Sequence, residues 1–220
     1  MTSIKGLIAI GSSTGGPRAL QQILSQLPAD FPAAVLVVQH MPHAFTRAFA
    51  ERLDGLSPLK VVEASHRDAV RAGTVYVAPG NRHMAVKQIG GKLQIALDDS
   101  EVVSGHRPSV DYLFSSLQGV DNMPKALLVL TGMGKDGARS MQQMKKADPR
   151  LITVAQDEAS CVVFGMPRAA IAKWCVDHRD LHASPPRRPS ALARCWRCAR
   201  AHLGSVLVAV PRRGRQTDRL

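Results

Sequence analysis

The sequence predicts an α/β fold of the doubly wound, three-layer kind: a mostly parallel sheet between helices, with an antiparallel hairpin attached. Three observations carry this. Short apolar runs with little polar alternation recur between residues 7 and 155, as in strands buried on both faces. Between several of them lie segments whose apolar residues repeat at helical spacing. Strands and helices alternate along the chain rather than clustering by type, which is the pattern of a sheet built from crossover units.

The elements follow in order. Leu7-Ile8-Ala9-Ile10 is a first buried strand, closed by Gly11-Ser12-Ser13-Thr14-Gly15-Gly16-Pro17. Pro17 is suited to open a helix, because a first-turn N–H has no intrahelical acceptor to lose; that helix runs to about Leu27-Pro28. Residues 34–39 are a second strand, ending at His40-Met41-Pro42. Phe45, Phe49 and Leu53 share one helical face at i, i+4 and i+8. Residues 60–64 and 74–78 are short strands, the latter stopped by Pro79-Gly80. Residues 83–86 and 93–97 flank Gly90-Gly91, a hairpin signal. Residues 110–117 form a helix capped by Ser109. Residues 126–130 are a strand leading through Thr131-Gly132-Met133-Gly134-Lys135-Asp136-Gly137 into a helix over 138–146, which Pro149 should terminate. A strand at 151–155 and a helix from 166 to 172 complete the series.

Charge divides the chain. Residues 1–172 hold 18 Lys+Arg against 14 Asp+Glu, a balance of +4, whereas residues 173–220 hold 11 against 3, a balance of +8. The body is therefore only mildly basic, and nucleic acid is not its expected partner. No apolar run reaches the ~20 residues of a membrane span, and the first strand begins without a leader-like stretch; a cytoplasmic protein without membrane insertion is expected. Cys195-x-x-Cys198 has no second ligand pair, so no metal site is expected from it. The body, residues 1–178, reads as one domain. Residues 179–220, rich in Arg, Pro, Ala and Cys, read as an atypical, poorly ordered basic tail that resembles an out-of-frame reading of a GC-rich gene.

Ser13, His40 and Asp136 each directly follow a strong strand candidate. Ligands of open parallel sheets sit outside the carboxyl ends of the strands, so the fold gathers all three on one edge. Together they are the inventory for acyl transfer: a nucleophile, a base and a carboxylate to orient the base. Gly11-x-Ser13-x-Gly15 matches the turn that presents an exposed nucleophilic serine, with the Thr14 N–H placed to meet an oxyanion. Each residue also has an ordinary role open to it: Ser13 as a helix cap, His40 as a loop histidine, Asp136 as a turn residue. A Gly-rich turn before a helix also suits a phosphate. His43, His66, His83 and His106 are other candidate histidines, and Asp157 is a second carboxylate after a strand.

Taken with Gln39-His40-Met41-Pro42, Phe45-Thr46-Arg47, Ala78-Pro79-Gly80, His106-Arg107-Pro108-Ser109-Val110-Asp111, Leu130 to Gly137 and Ala155 to Pro167, these motifs resemble the catalytic domain of the bacterial chemotaxis protein-glutamate methylesterase family, from about residue 4 to residue 178. The resemblance implies hydrolysis of glutamyl methyl esters, and deamidation of glutamines, on methyl-accepting chemotaxis receptors. It puts the nucleophile on Ser13, the base on His40 and the carboxylate on Asp136, with Thr14 and Met133 as oxyanion or substrate contacts. It implies no cofactor and no metal. The family's receiver domain is not recognisable here, so a separate receiver domain or regulator is a possible partner. Ala147-Asp148-Pro149-Arg150 stands where the family usually has a glycine-containing turn, and the family's last strand and helix are not recognisable after His178. The alternatives are a nucleotide- or phosphate-binding module and an inactive receptor-binding adaptor.

Overall fold

A computed structural model of the chain describes residues 4–177. The expected domain boundary at 178 and the basic tail, with Cys195, Trp196 and Cys198, lie outside the described residues.

The body is built on a six-stranded sheet. Strand β1 (Gly6–Ser12) lies at its centre between β2 (Ala33–Gln39) and β7 (Lys125–Val129), and pairs with both in parallel. Beyond β2 lie β4 (Thr74–Val77) and β3 (Lys60–Glu63); beyond β7 lies β8 (Ile152–Ala155). The order is therefore β3-β4-β2-β1-β7-β8, with every pairing parallel. The chain leaves β1 towards β2 on one side, and β7 later fills the other side. That reversal beside β1 opens a crevice at the carboxyl edge.

Helices cover both faces. On one, α1 (Gly16–Leu24) and α2 (His43–Asp54) send Leu20, Ile23, Phe49 and Leu53 against Ile10, Val35, Val37 and Leu128 of the sheet. On the other, α3 (Val110–Ser116), α4 (Ala138–Ala147) and α5 (Met166–Ala172) pack Leu113, Phe114, Met141 and Met166 against Leu7, Ala9, Leu36 and Val129. Side chains alternate between the two cores along β1 and β2 because successive strand residues point to opposite faces. Every residue of β2 is buried, which is why its sequence shows no polar alternation.

The hairpin of β5 (His83–Ile89) and β6 (Lys92–Asp98) is a separate two-stranded sheet rather than an addition to the main one. It packs Met84, Val86, Leu93 and Ile95 into the α3 side of the core. Gly90 and Gly91 turn it with φ of 56° and 76°, the doubly positive backbone that tight hairpins favour. The first helix is shorter than its periodicity suggested, ending at Leu24; residues 26 and 27 continue it only as i to i−3 turns. Helix α4 stops at Ala147, with Asp148 already extended ahead of Pro149, as a residue before proline prefers.

Candidate active site

Ser13 stands on the turn between β1 and α1 at the crevice. Its N–H donates to Thr131 O at 3.0 Å, and its carbonyl accepts from Gly16 N–H at 2.8 Å. Gly15 carries φ 83°, and a Cβ there would come within 2.6 Å of Val162 Cβ, so glycine is required at that corner. The α1 cap position falls on Gly15 with no side-chain cap; Ser13 does not cap the helix. Its hydroxyl has no hydrogen-bond partner among the described residues. The N–H groups of Ser13 and Gly16 are used within the protein, which leaves the turn less able to cradle a phosphate.

His40 follows β2 and is tied to the same turn: its N–H donates to Ser12 O at 2.9 Å. Its ring is nearly enclosed, with 8% of the side chain exposed. Nε2–H donates to Asp136 Oδ2 at 2.9 Å, while Nδ1 is buried without a partner. The ring lies flat against His106, with centroids 3.7 Å apart and planes 15° apart. Burial pushes the pKa of His106 down, the nearby His40 pushes the same way, and Asp136 pulls against both. The neutral His106 that results limits the positive charge stacked on His40.

Asp136 follows β7 and is 1% exposed. It does not cap its own helix, whose cap position is Gly137. Instead it faces the start of α3. Oδ1 accepts from Ser109 Oγ–H and Asp111 N–H, both at 2.9 Å, and Oδ2 accepts from Val110 N–H at 2.7 Å as well as from His40. Burial alone drives its carboxyl pKa up and is the largest single influence. The donors from His40, Asp111, Val110 and Ser109 together outweigh it and hold the pKa below the ordinary value. Asp136 is therefore an anion at neutral pH, and its position favours the Nε2–H tautomer of His40, leaving the Nδ1 lone pair open.

Around these three stands a supporting set that the sequence did not single out by role. Gln39, 3% exposed, donates its two amide N–H bonds to Ser13 O and His40 O, each at 3.0 Å, and accepts from Ser12 Oγ–H at 2.8 Å. One side chain thus links the serine turn to the histidine. The available signal was a polar residue closing an otherwise apolar strand. Thr131 Oγ1 donates to Thr14 O at 2.9 Å and accepts from Val162 and Val163 N–H, joining the turn to the loop after β8. Ser109 caps α3 as expected, accepting from Tyr112 N–H, but its hydroxyl also serves Asp136. His83 is buried and engaged by Glu101 O and Ser109 N–H, and His66 accepts from Leu97 N–H; neither is brought to Ser13. Asp157 caps the short turn at Ser160 and is not used by His40.

Thr14 follows Ser13 in its turn, and Met133 follows Gly132 in the loop after β7. Gly132, in the loop after β7, lies so close that a Cβ there would be 2.8 Å from Ser13 Cβ. The N–H groups of Thr14 and Met133 have no acceptor among the described residues, and Met133 is 73% exposed. No group of three His, Cys, Asp or Glu able to hold a metal occurs among the described residues.

The sequence profile of the family described as CheB methylesterase matches residues 8–184. The chain belongs to that family. The match continues past residue 178, where the resemblance was expected to stop. A CheB methylesterase catalytic domain from Thermotoga maritima has the same fold, with a TM-score of 0.76 and 41% identity over 79% of this chain and 91% of that one. Relatives named protein-glutamate methylesterase/protein-glutamine glutaminase include one from Oceanobacillus iheyensis, 44% identical over 82% of this chain and 52% of its own length. Another, from Photorhabdus laumondii, is 48% identical over 80% of this chain and 50% of its own. The chain spans about half the length of these CheB relatives. Among its described residues no helix is long and apolar enough to cross a membrane.

Proposed function

We propose that this chain hydrolyses γ-glutamyl methyl esters on chemotaxis receptors and deamidates receptor glutamines at the same site, with Ser13 as nucleophile, His40 as base and Asp136 as the carboxylate that orients it. The reading places this chemistry in the cytoplasm, with a receiver domain or another regulator as its controlling partner. The observation that carries it is the His40 ring. Asp136 takes one nitrogen at 2.9 Å, and the other is buried with no partner, while Gln39 ties the Ser13 turn to the same histidine.

Ser13 Oγ attacks the side-chain carbonyl carbon, and its proton passes to His40 Nδ1. Asp136 stabilises the imidazolium across the Nε2–H bond. The carbonyl oxygen becomes an oxyanion, for which the Thr14 and Met133 N–H groups are the available donors. Collapse expels methanol, or ammonia from an amide, with the proton returned from His40. Water then attacks the acyl-serine by the same base, releasing a free glutamate and regenerating Ser13. The triad uses Nδ1 towards the serine and Nε2 towards the carboxylate, opposite to the arrangement in chymotrypsin-like proteases; geometry and role define such a triad, not the nitrogen chosen.

The names of the relatives support the same chemistry. The deciding experiment is methanol release from methylated receptor by Ser13→Ala. A loss of roughly six orders of magnitude in kcat is expected. Release at the wild-type rate would refute the assignment.

A further inference from the structure

His83, at the start of β5, is fully buried and takes no part in the chemistry proposed for Ser13. Its two ring nitrogens have fixed roles. Nδ1 faces the Ser109 N–H at 3.3 Å, and a peptide N–H only donates, so Nδ1 is the bare, accepting nitrogen. Nε2 faces Glu101 O at 3.0 Å, and a carbonyl only accepts, so Nε2 carries the proton. The ring is thus held in one tautomer. Tyr112 lies flat on it, with ring centroids 4.3 Å apart and planes 15° apart, and keeps it from turning.

Ser109 joins this histidine to the candidate site. It stands before α3 with extended backbone, so no helical bond fixes its N–H, and His83 Nδ1 is the acceptor that does. Its Oγ accepts from Tyr112 N–H at 3.3 Å, which leaves the hydroxyl hydrogen to donate to Asp136 Oδ1 at 2.9 Å. The two backbone N–H groups on Asp136 are fixed differently. Val110 and Asp111 lie within α3, and the Asp111 carboxylate accepts from Ser140 N–H and Oγ–H of α4 at 2.8 and 2.6 Å. Ser109 is the donor whose placement is left to a side chain of the hairpin.

We propose that His83 is a positioning residue for the esterase: its bare Nδ1 holds the Ser109 peptide so that the Ser109 hydroxyl is aimed at Asp136, which in turn orients His40. The proposal rests on the esterase reading and adds to it a side chain that touches neither substrate nor reacting atoms. Without the Nδ1 acceptor, the N–H of fully buried Ser109 is unpaired, and an unpaired buried donor is costly enough to turn the residue toward another partner. The hydroxyl then leaves Oδ1. Asp136 loses one of the donors that hold its anion and is free to shift from the His40 Nε2–H. The effect falls on the imidazolium formed in the transition state, so it lowers kcat and leaves KM.

Two amide replacements separate the two bonds of the ring. In His83→Asn the amide oxygen stands near the place of Nδ1 and still accepts from Ser109 N–H, while the bond to Glu101 O is lost. In His83→Gln the longer amide reaches the place of Nε2 and still donates to Glu101 O, while Ser109 N–H loses its acceptor. In methanol release from methylated receptor, His83→Gln should lower kcat roughly tenfold, as loss of a hydrogen bond to a charged group does, with KM within about twofold. His83→Asn should stay within about threefold of the wild-type kcat. Ser109→Ala should itself lose roughly tenfold, and adding His83→Gln to it should cost no more than about twofold further. An unaltered kcat in His83→Gln, an equal loss in His83→Asn, or a full tenfold further loss in the Ser109→Ala background overturns the proposal and leaves the esterase reading standing. On the wild-type chain, a nitrogen NMR correlation spectrum of the imidazole rings at neutral pH should show His83 protonated on Nε2 and bare on Nδ1; a proton on Nδ1 overturns the proposal whether or not the variants fold. Failure of the wild-type chain to release methanol overturns both readings.

Discussion

Replacing Gln39 with methionine isolates the bond set that joins the Ser13 turn to His40. Methionine fills a similar volume but neither donates nor strongly accepts. The change removes three hydrogen bonds, to Ser13 O, His40 O and Ser12 Oγ. The groups left behind are not equivalent. Ser13 O keeps the Gly16 N–H at 2.8 Å. His40 O and the buried Ser12 hydroxyl are left alone, each at about 1–3 kcal/mol. A loss of about 3 kcal/mol in urea unfolding is expected, since the added apolar burial offsets part of the penalty. Adding Ser12→Ala removes one of the two orphaned groups, so the double variant should regain about 1 kcal/mol over Gln39→Met alone. In methanol release, the serine turn and the histidine are no longer fixed by one amide, and a displacement near 1 Å lowers kcat on the order of a hundredfold with little change in KM. Three results would refute the reasoning: a stability loss under about 1 kcal/mol, kcat within about twofold of wild type, or further destabilisation on adding Ser12→Ala.

Asp136→Asn keeps the shape but removes the anion that α3 and His40 surround; kcat should fall by about four orders of magnitude, as when a triad carboxylate becomes an amide. The same pair of proteins tests the pKa direction. The folded pKa of Asp136 lies below the ordinary aspartate value of about 3.8, so its charge-dependent stabilisation is fully present above that value and is lost as pH falls below it towards the folded pKa. The stability difference between wild type and Asp136→Asn should stay level from neutral pH to about pH 5 and shrink only below the ordinary carboxylate range; a difference already shrinking at pH 6 would contradict it. Gly132→Ala should force a Cβ against Ser13 Cβ and Met166 Sδ, costing about 1–3 kcal/mol in thermal or urea unfolding and lowering kcat more than it raises KM; a variant with unaltered kcat would show that the Ser13 turn is not held by this approach.

Much of the fold was legible because its signals are local. The apolar runs of β1, β2, β7 and β8 reflect strands with helices on both faces, and no surface strand would look the same. Gly90-Gly91 marked the hairpin because only its backbone freedom suits a doubly positive turn. Where that hairpin sits was not legible. Whether two strands extend a sheet or stand apart depends on which edge is free and what α3 covers, and neither is written in the hairpin's residues. The end of α1 was misjudged for a related reason: Leu27 keeps the helical spacing and is buried, but the chain reaches it through turns.

The candidate site divides in the same way. Ser13, His40 and Asp136 could be named from the sequence because strand ends in a parallel sheet converge, and each follows a strong strand. Their support could not. Gln39 is buried like its apolar neighbours in β2, and nothing in the sequence says that its amide spans two carbonyls. Ser109 looked like a helix cap and is one; that its hydroxyl also reaches Asp136 depends on α3 pointing its N-terminus at the β7 loop. His106 was one histidine among several until the fold laid its ring on His40.

The sequence by itself determined the alternation of buried strands and helices, and so which polar residues would meet at one edge of a sheet. Periodicity and turn chemistry act over a few residues, and that range is enough for both. Only the tertiary structure decided which nitrogen of His40 faces the carboxylate, which backbone donors keep Asp136 ionised, and that the His106 ring lies on His40. Those outcomes depend on distances between segments remote in the chain, fixed by packing two helical layers against one parallel sheet.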